Sequence, residues 1–283
     1  MDYANPQALV STQWLADHLN APDVRVVDGS WHMPQLGRDP RAEFAKQHIP
    51  GAVYFDIDDI ADTDSDLPHM LPSAEKFASR VRRLGLGDGV RVVVYDATGV
   101  GSAARVWWTF RVFGHDDVAV LDGGLPKWLA ENRPVESEQP MIQERHFSAR
   151  MNSLLVRDRD QIRANIDNGR EQILDARSRG RFNATEPEPR AGLRGGHMPG
   201  ALNQPFLELY EGDPKTMKSA DDLSALYKEA GIDFAKPVIT SCGSGVTACN
   251  LAFGLYLLGK EDVAVYDGSW TEWGSREDTP IEA

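Results

Sequence analysis

Cysteine is scarce in this chain: 283 residues contain only Cys242 and Cys249. Two thiols cannot build a disulfide framework or a metal site alone, so a structural zinc site or a stapled secreted scaffold is not expected. Positive charge is also short. Thirty Lys and Arg face 43 Asp and Glu for a net charge of −13, which argues against nucleic acid or an anionic membrane as partner. No run approaches the ~20 apolar residues of a membrane-spanning helix. Met1-Asp2-Tyr3-Ala4-Asn5-Pro6 shows neither a basic nor an apolar signal region, so a reducing, cytoplasmic setting is expected. Cofactor signals fail on inspection. Asp62-Thr63-Asp64-Ser65-Asp66 opens like a calcium loop but has Leu67 for the turn glycine and Ser73 for the bidentate glutamate. Gly99-Val100-Gly101 imitates a dinucleotide fingerprint, yet its strand ends three residues too early. No metal and no cofactor are expected.

What the chain does have is enough apolar content, 41%, for real cores, and an internal duplication. His48-Ile49-Pro50-Gly51-Ala52-Val53 recurs as His197-Met198-Pro199-Gly200-Ala201-Leu202, and Asp117-Val118-Ala119-Val120-Leu121-Asp122-Gly123 as Asp262-Val263-Ala264-Val265-Tyr266-Asp267-Gly268. Trp128 and Trp273 follow at equal distances. Each copy reads as strand (24–28; 172–175), the His-x-Pro-Gly-Ala turn, helix (74–83; 220–229), buried strand (91–95; 238–241), loop, apolar helix and second buried strand. Alternation of strands and helices predicts two α/β domains, each a mainly parallel sheet flanked by helices. The first spans 1–137, a connector 138–156 and the second 157–283. His48 and His197, opening the same turn, read as structural caps, and the tryptophans as packing residues.

The copies diverge at one loop. Where the first has Asp96-Ala97-Thr98-Gly99-Val100-Gly101, the second has Cys242-Gly243-Ser244-Gly245-Val246-Thr247. Glycines beside the sulfur let successive N–H groups turn toward one atom, and the following helix adds its positive end. That field favours thiolate over thiol, so Cys242 is the expected nucleophile and the second copy the active one. Cys249 reads as a small core residue. A cysteine phosphatase would place an arginine six residues after its nucleophile, and Ala248 stands there.

On these motifs, together with Asp267-Gly268-Ser269-Trp270, Asp175-Ala176-Arg177-Ser178, Gly180-Arg181-Phe182, Pro187-Glu188-Pro189-Arg190 and Gly195-Gly196-His197, the chain resembles the two-domain sulfurtransferases of the rhodanese family over nearly its whole length. The resemblance implies two tandem rhodanese-like domains and a persulfide on Cys242. The amides of Gly243, Ser244, Gly245, Val246 and Thr247 are expected to stabilise that sulfur, and the resemblance implies that Arg181 and Arg190 hold a donor's carboxylate and keto oxygen. It further implies a Ser244, His69, Asp58 relay that handles protons across the domain interface. Thiosulfate-using relatives carry an Arg-Lys pair after the cysteine, whereas this chain has Gly243 and Ser244. The implied donor is therefore 3-mercaptopyruvate, with thiosulfate:cyanide transfer by the same Cys242 as the alternative. The implied acceptor is a thiol, a thioredoxin-like protein or cyanide. A family member reduced to a silent binding module is disfavoured by Cys242 together with the two arginines.

Overall fold

The computed structural model describes residues 2–283. Its N-terminal half contains β1 (Leu9–Val10), α1 (Thr12–His18), β2 (Val24–Asp28), α2 (Pro40–Lys46), β3 (Val53–Tyr54), α3 (Ala74–Arg83), β4 (Arg91–Tyr95), α4 (Ala103–Val112), β5 (Val118–Leu121) and α5 (Gly124–Ala130). The C-terminal half contains β6 (Val156–Arg157), α6 (Arg159–Asn168), β7 (Gln172–Asp175), α7 (Arg179–Phe182), β8 (Leu202–Asn203), β9 (Tyr210–Glu211), β10 (Thr216–Met217), α8 (Ala220–Glu229), β11 (Val238–Ser241), α9 (Ala248–Leu257), β12 (Val263–Tyr266) and α10 (Ser269–Trp273).

The two halves share one topology. Strand order is β1-β5-β4-β2-β3 in the first sheet and β6-β12-β11-β7-β8 in the second, and every neighbour is parallel. The central strands are buried on both faces, which explains why they read as continuous runs such as Val92-Val93-Val94 rather than as alternating patterns. Asp28 pairs with Tyr95 and Asp175 with Ser241, so Asp96 and Cys242 leave their sheets at equivalent points. The antiparallel β9–β10 pair is an addition to the second copy.

Local chemistry sets the helix starts. Ser73 and Ser219 accept from Lys76 N and Asp222 N and cap α3 and α8, while Asp158 and Gln161 form a reciprocal box on α6. His48 and His197 are structural: each stacks on a phenylalanine, Phe44 or Phe182, and its Nδ1–H donates to that residue's carbonyl. Trp128 and Trp273, both buried, donate from Nε1 to Pro134 O and Pro280 O and so pin the end of each copy.

Helices α4 and α9 are apolar nearly all round because each lies between its own sheet and the other half of the molecule. Trp107 meets Phe253 edge-on at 4.9 Å, and the Arg111 guanidinium lies 4.0 Å over the Tyr256 ring. A single buried apolar cluster runs through both halves, and the loop after β11 lies where they meet. Residues 138–152 contain no helix or strand and pack along the N-terminal half, burying Phe147. The second sheet starts at Val156, the last residue assigned to the connector by sequence. No helix among the described residues is long and apolar enough to cross a membrane.

Candidate active site

Cys242 is 1% exposed and sits at the floor of a cavity of about 400 Å³ between the halves. Its backbone is tied to the start of α10: Cys242 N donates to Ser269 Oγ at 3.2 Å, and Trp270 N donates to Cys242 O. The Ser269 hydroxyl lies 4.0 Å from Cys242 Sγ, and Ser269 adopts a left-handed φ of 50°, strain of the kind that accumulates at functional sites. Thr271 secures Gly243 O through both N–H and hydroxyl.

The N-terminal copy shows what this loop backbone is built to hold. Asp96 Oδ1 accepts from Thr98 N, Thr98 Oγ1 and Gly99 N, and Oδ2 from Gly101 N and Ala103 N. One carboxylate thus fills a ring of amides. Gly99 and Gly245, at matching positions, share left-handed φ values of 75° and 77°. In the second copy the residue at the head of that turn is a thiol.

Three arginines line the cavity beside Cys242: Arg177, Arg181 and Arg190. Ser178 caps α7 and places Arg181, whose Nη2 donates to Glu188 at 2.6 Å. The Glu188 side chain is only 2% exposed and also accepts from Arg177 Nη1 at 2.7 Å; Arg177 in turn is held by Asp175 and lies 4.1 Å over the Trp270 ring. An alternating chain of acid and base therefore fixes Arg181 from behind. Arg190 has no carboxylate within ion-pair distance among the described residues, and its Nη2 donates to Ser244 Oγ at 3.3 Å. Burial holds its pKa below the ordinary arginine range and the neighbouring Arg181 adds to this, while the cysteine opposes both. At neutral pH it remains a cation. A Cβ on Gly243 would lie 3.1 Å from Arg181 Nη2, too close without a shift, and 3.8 Å from Arg190 Nη1, an ordinary contact, so glycine is what lets the Arg181 guanidinium approach the loop.

The N-terminal half supplies the opposite wall: Trp31, His32, Met33 and Leu36, with Pro205, Phe206 and Leu207 from the second half completing an apolar rim. Asp58, exposed, lies behind Trp31. Its Oδ2 accepts from Trp31 Nε1 at 3.1 Å, and its Oδ1 is 2.8 Å from His69 Nδ1. Partial desolvation works against the ionised Asp58, but His69, the Trp31 N–H and Arg190 outweigh it, and the carboxyl titrates below its usual range.

Rhodanese-like domains match the chain twice, over residues 11–131 and 158–276. The chain belongs to the rhodanese family. It is 46% identical to human 3-mercaptopyruvate sulfurtransferase over 96% of this chain and 95% of that one, and 44% identical to rat thiosulfate sulfurtransferase over 95% and 93%. Among solved structures it resembles an Escherichia coli 3-mercaptopyruvate sulfotransferase, with a TM-score of 0.85 and 39% identity, covering 93% of this chain and 98% of that one.

Within this rhodanese pair, the structure gathers Cys242, Gly243, Ser244, Val246, Thr247, Arg181 and Arg190 around one cavity, and Gly245 completes their loop. His69 and Asp58 form their contact on the N-terminal side. Ser244 is bonded to Arg190, and no hydrogen bond joins it to His69 among the described residues; His69 Nε2 is buried without a hydrogen-bond partner, and Nδ1 meets Asp58 at ion-pair distance without hydrogen-bond alignment. Sequence reasoning assigned no role to Glu188, Ser269, Trp31, Arg105 or Asp267. Glu188, Ser269 and Asp267 lie inside the motifs already singled out, which is the signal that could have found them. Cys249 is a core residue, donating to Gly245 O at 3.2 Å, with its thiol pKa pushed well up by burial.

Proposed function

We propose that the protein is a sulfurtransferase that moves the sulfur of 3-mercaptopyruvate through a Cys242 persulfide to a thiol or cyanide, releasing pyruvate. The observation that carries this reading is the pairing of a loop-cradled thiol with the Arg181 and Arg190 guanidinia, at a loop position where glycine replaces any cationic side chain. The Cys242 thiolate attacks the donor sulfur. The C–S bond breaks with its electron pair passing to the carbon, pyruvate leaves as its enolate, and a proton completes it. The outer sulfur of the persulfide then forms a bond to the acceptor thiolate or cyanide, and the S–S bond breaks to return the Cys242 thiolate.

Arg190, free of any carboxylate partner, suits a substrate carboxylate, and Arg181, fixed by Glu188, suits the keto oxygen. The amides of Ser244, Gly245 and Thr247, which match those on the Asp96 carboxylate, suit the anionic sulfur. His69, oriented by Asp58, would carry the proton between donor thiol and enolate, with Ser244 turning from Arg190 toward it once substrate engages the arginines. A thioredoxin-like acceptor fits the apolar rim, and two unpaired thiols fit a reducing compartment such as the cytoplasm.

Thiosulfate transfer is the second reading, supported by the 44% identity to the rat enzyme of that name. A paired assay separates them: equal 3-mercaptopyruvate and thiosulfate with cyanide as acceptor, for wild type and Cys242→Ser. Thiocyanate is expected mainly from mercaptopyruvate and absent in the variant. Preference for thiosulfate would overturn the donor assignment.

A further inference from the structure

Arg105 lies against the Cys242 loop but, unlike Arg177, Arg181 and Arg190, does not line the cavity. It is 2% exposed, rises from α4 of the N-terminal half, and lies 4.5 Å over the Trp108 ring. Its Nη1 donates to Asp267 Oδ1 at 2.6 Å and to Gly245 O at 3.1 Å, and its Nη2 donates to His69 O. Asp267, at the end of β12, uses its other oxygen to accept from Leu71 N at 2.7 Å. One buried ion pair therefore takes hold of three backbone groups on two segments: the Cys242 loop at Gly245, and the N-terminal loop on both sides of its turn, at His69 and Leu71.

The geometry of that turn needs holding. His69 has a left-handed φ of 63° without being glycine, a conformation that persists only when its surroundings enforce it. It is this backbone that sends the imidazole toward Asp58 and into edge contact with Trp31, 4.6 Å between centroids, on the cavity wall. An ion pair serving stability alone can be replaced by apolar packing without loss. Here the guanidinium's planar fork reaches three acceptors that a lysine cannot serve together.

We propose that Arg105 is a positioning residue for sulfur transfer: with Asp267 it clasps the His69 turn of the N-terminal domain to the Cys242 loop and so fixes where the imidazole stands relative to the reacting sulfur. The proposal rests on the reading that His69 moves a proton in that reaction. It extends the catalytic unit to a residue that touches neither donor nor acceptor.

The test is a double-mutant cycle on the full-length enzyme, reading the single-turnover rate of pyruvate release, KM for 3-mercaptopyruvate and the pH profile, with urea unfolding in parallel. Arg105→Lys is expected to slow pyruvate release on the order of 10- to 100-fold, the scale of a misplacement near 1 Å. KM should stay within about twofold, since the substrate arginines are untouched. In a His69→Ala background the same lysine should cost nothing further, and the pH dependence attributable to His69 should be altered alike in both single variants. Asp267→Asn, attacking the clasp from the other side, serves if the lysine variant does not fold. Equal losses from Arg105→Lys with and without His69 would overturn the clasp while leaving the relay intact. A change confined to KM or to unfolding would overturn it as well. Full activity of His69→Ala would overturn the relay, and the proposal with it, without touching Cys242 as nucleophile.

Discussion

Two glycines of the Cys242 loop, two residues apart, should fail in opposite ways when given a methyl group. Gly245 has φ +77°, and its added Cβ would lie 2.8 Å from Asp267 O and 2.9 Å from Arg105 Nη1. The left-handed backbone costs an L-residue about 1–2 kcal/mol. Forcing a methyl against a backbone carbonyl and a guanidinium pinned by an ion pair adds about 1–3 kcal/mol, since neither neighbour is free to yield. Gly245→Ala is therefore expected to lose roughly 2–5 kcal/mol in urea unfolding. Gly200 calibrates the first contribution: its φ is +70°, but nothing lies within 4 Å of an added Cβ. Gly200→Ala should lose only the backbone part, about 1–2 kcal/mol.

Gly243 carries no positive φ, and the atoms nearest an added methyl are the tips of Arg181 and Arg190. The fold should tolerate Gly243→Ala within about 0.5 kcal/mol, as for substitutions away from strained or buried sites. Function should not be spared, because Arg181 Nη2 must retreat by a few tenths of an ångström while Glu188 holds it from behind. A loss of about 1 kcal/mol in donor binding corresponds to roughly a fivefold rise in KM for 3-mercaptopyruvate. Steady-state pyruvate release and urea titration on the three variants decide the matter. Equal destabilisation by Gly243→Ala and Gly245→Ala, or an unchanged donor KM in Gly243→Ala, would refute the assignment of these glycines to substrate clearance and loop geometry respectively.

Buried Asp28 should give the protein an unusual acid-side slope. Burial raises its carboxyl to about 6, partly offset by hydrogen bonds from Ser30 and Tyr95, with Asp96 adding slightly to the rise. The folded state then keeps a proton that the unfolded chain has already shed. Stability from this group is complete below about pH 4 and is lost as pH rises to about 6, by roughly 3 kcal/mol. Asp28→Asn should match wild type near pH 4 and exceed it at pH 7.5 in urea unfolding; an unchanged pH slope in the variant would count against it. Alkylation should separate the thiols: native protein treated with iodoacetamide is expected to take one label, on Cys242 in its cavity, and lose turnover. Cys249, in the core with its pKa raised by burial, should react only after unfolding, so label on native Cys249 would contradict the packing of α9.

The sequence carried the central strands to the residue. Val24–Asp28, Arg91–Tyr95, Gln172–Asp175 and Val238–Ser241 are parallel strands buried on both faces, which leaves uninterrupted β-rich runs that end at a polar residue. The serine-capped helices α3 and α8 were legible for the same kind of local reason. Two-residue edge strands such as β3 and β8, and the β9–β10 hairpin, have too few residues to show any period. In the site, Cys242, Arg181 and Arg190 lie in motifs and could be read. Arg105 with Asp267 could not, because its partners are 162 positions apart and only the docking of α4 on α9 brings them together.

The duplication suggests how the proposed function divides between the two halves. Both loops present the same turn, and in the first a fixed carboxylate from the chain itself occupies the amides, leaving no room for an incoming anion. In the proposed reaction, replacing that carboxylate by a thiol turns a filled ring into one whose occupant accepts and gives up a sulfur atom. The first copy, relieved of chemistry at Asp96, contributes from other positions: Trp31 and Met33 form the far wall, Asp58 and His69 stand behind it, and Arg105 crosses the seam to the loop of the second copy. All of these come from the N-terminal half, whereas Arg181 and Arg190 come from the C-terminal half. In the proposed reaction, the apolar seam between α4 and α9 therefore belongs to the site, because its packing holds the half that carries His69 against the half that carries Cys242.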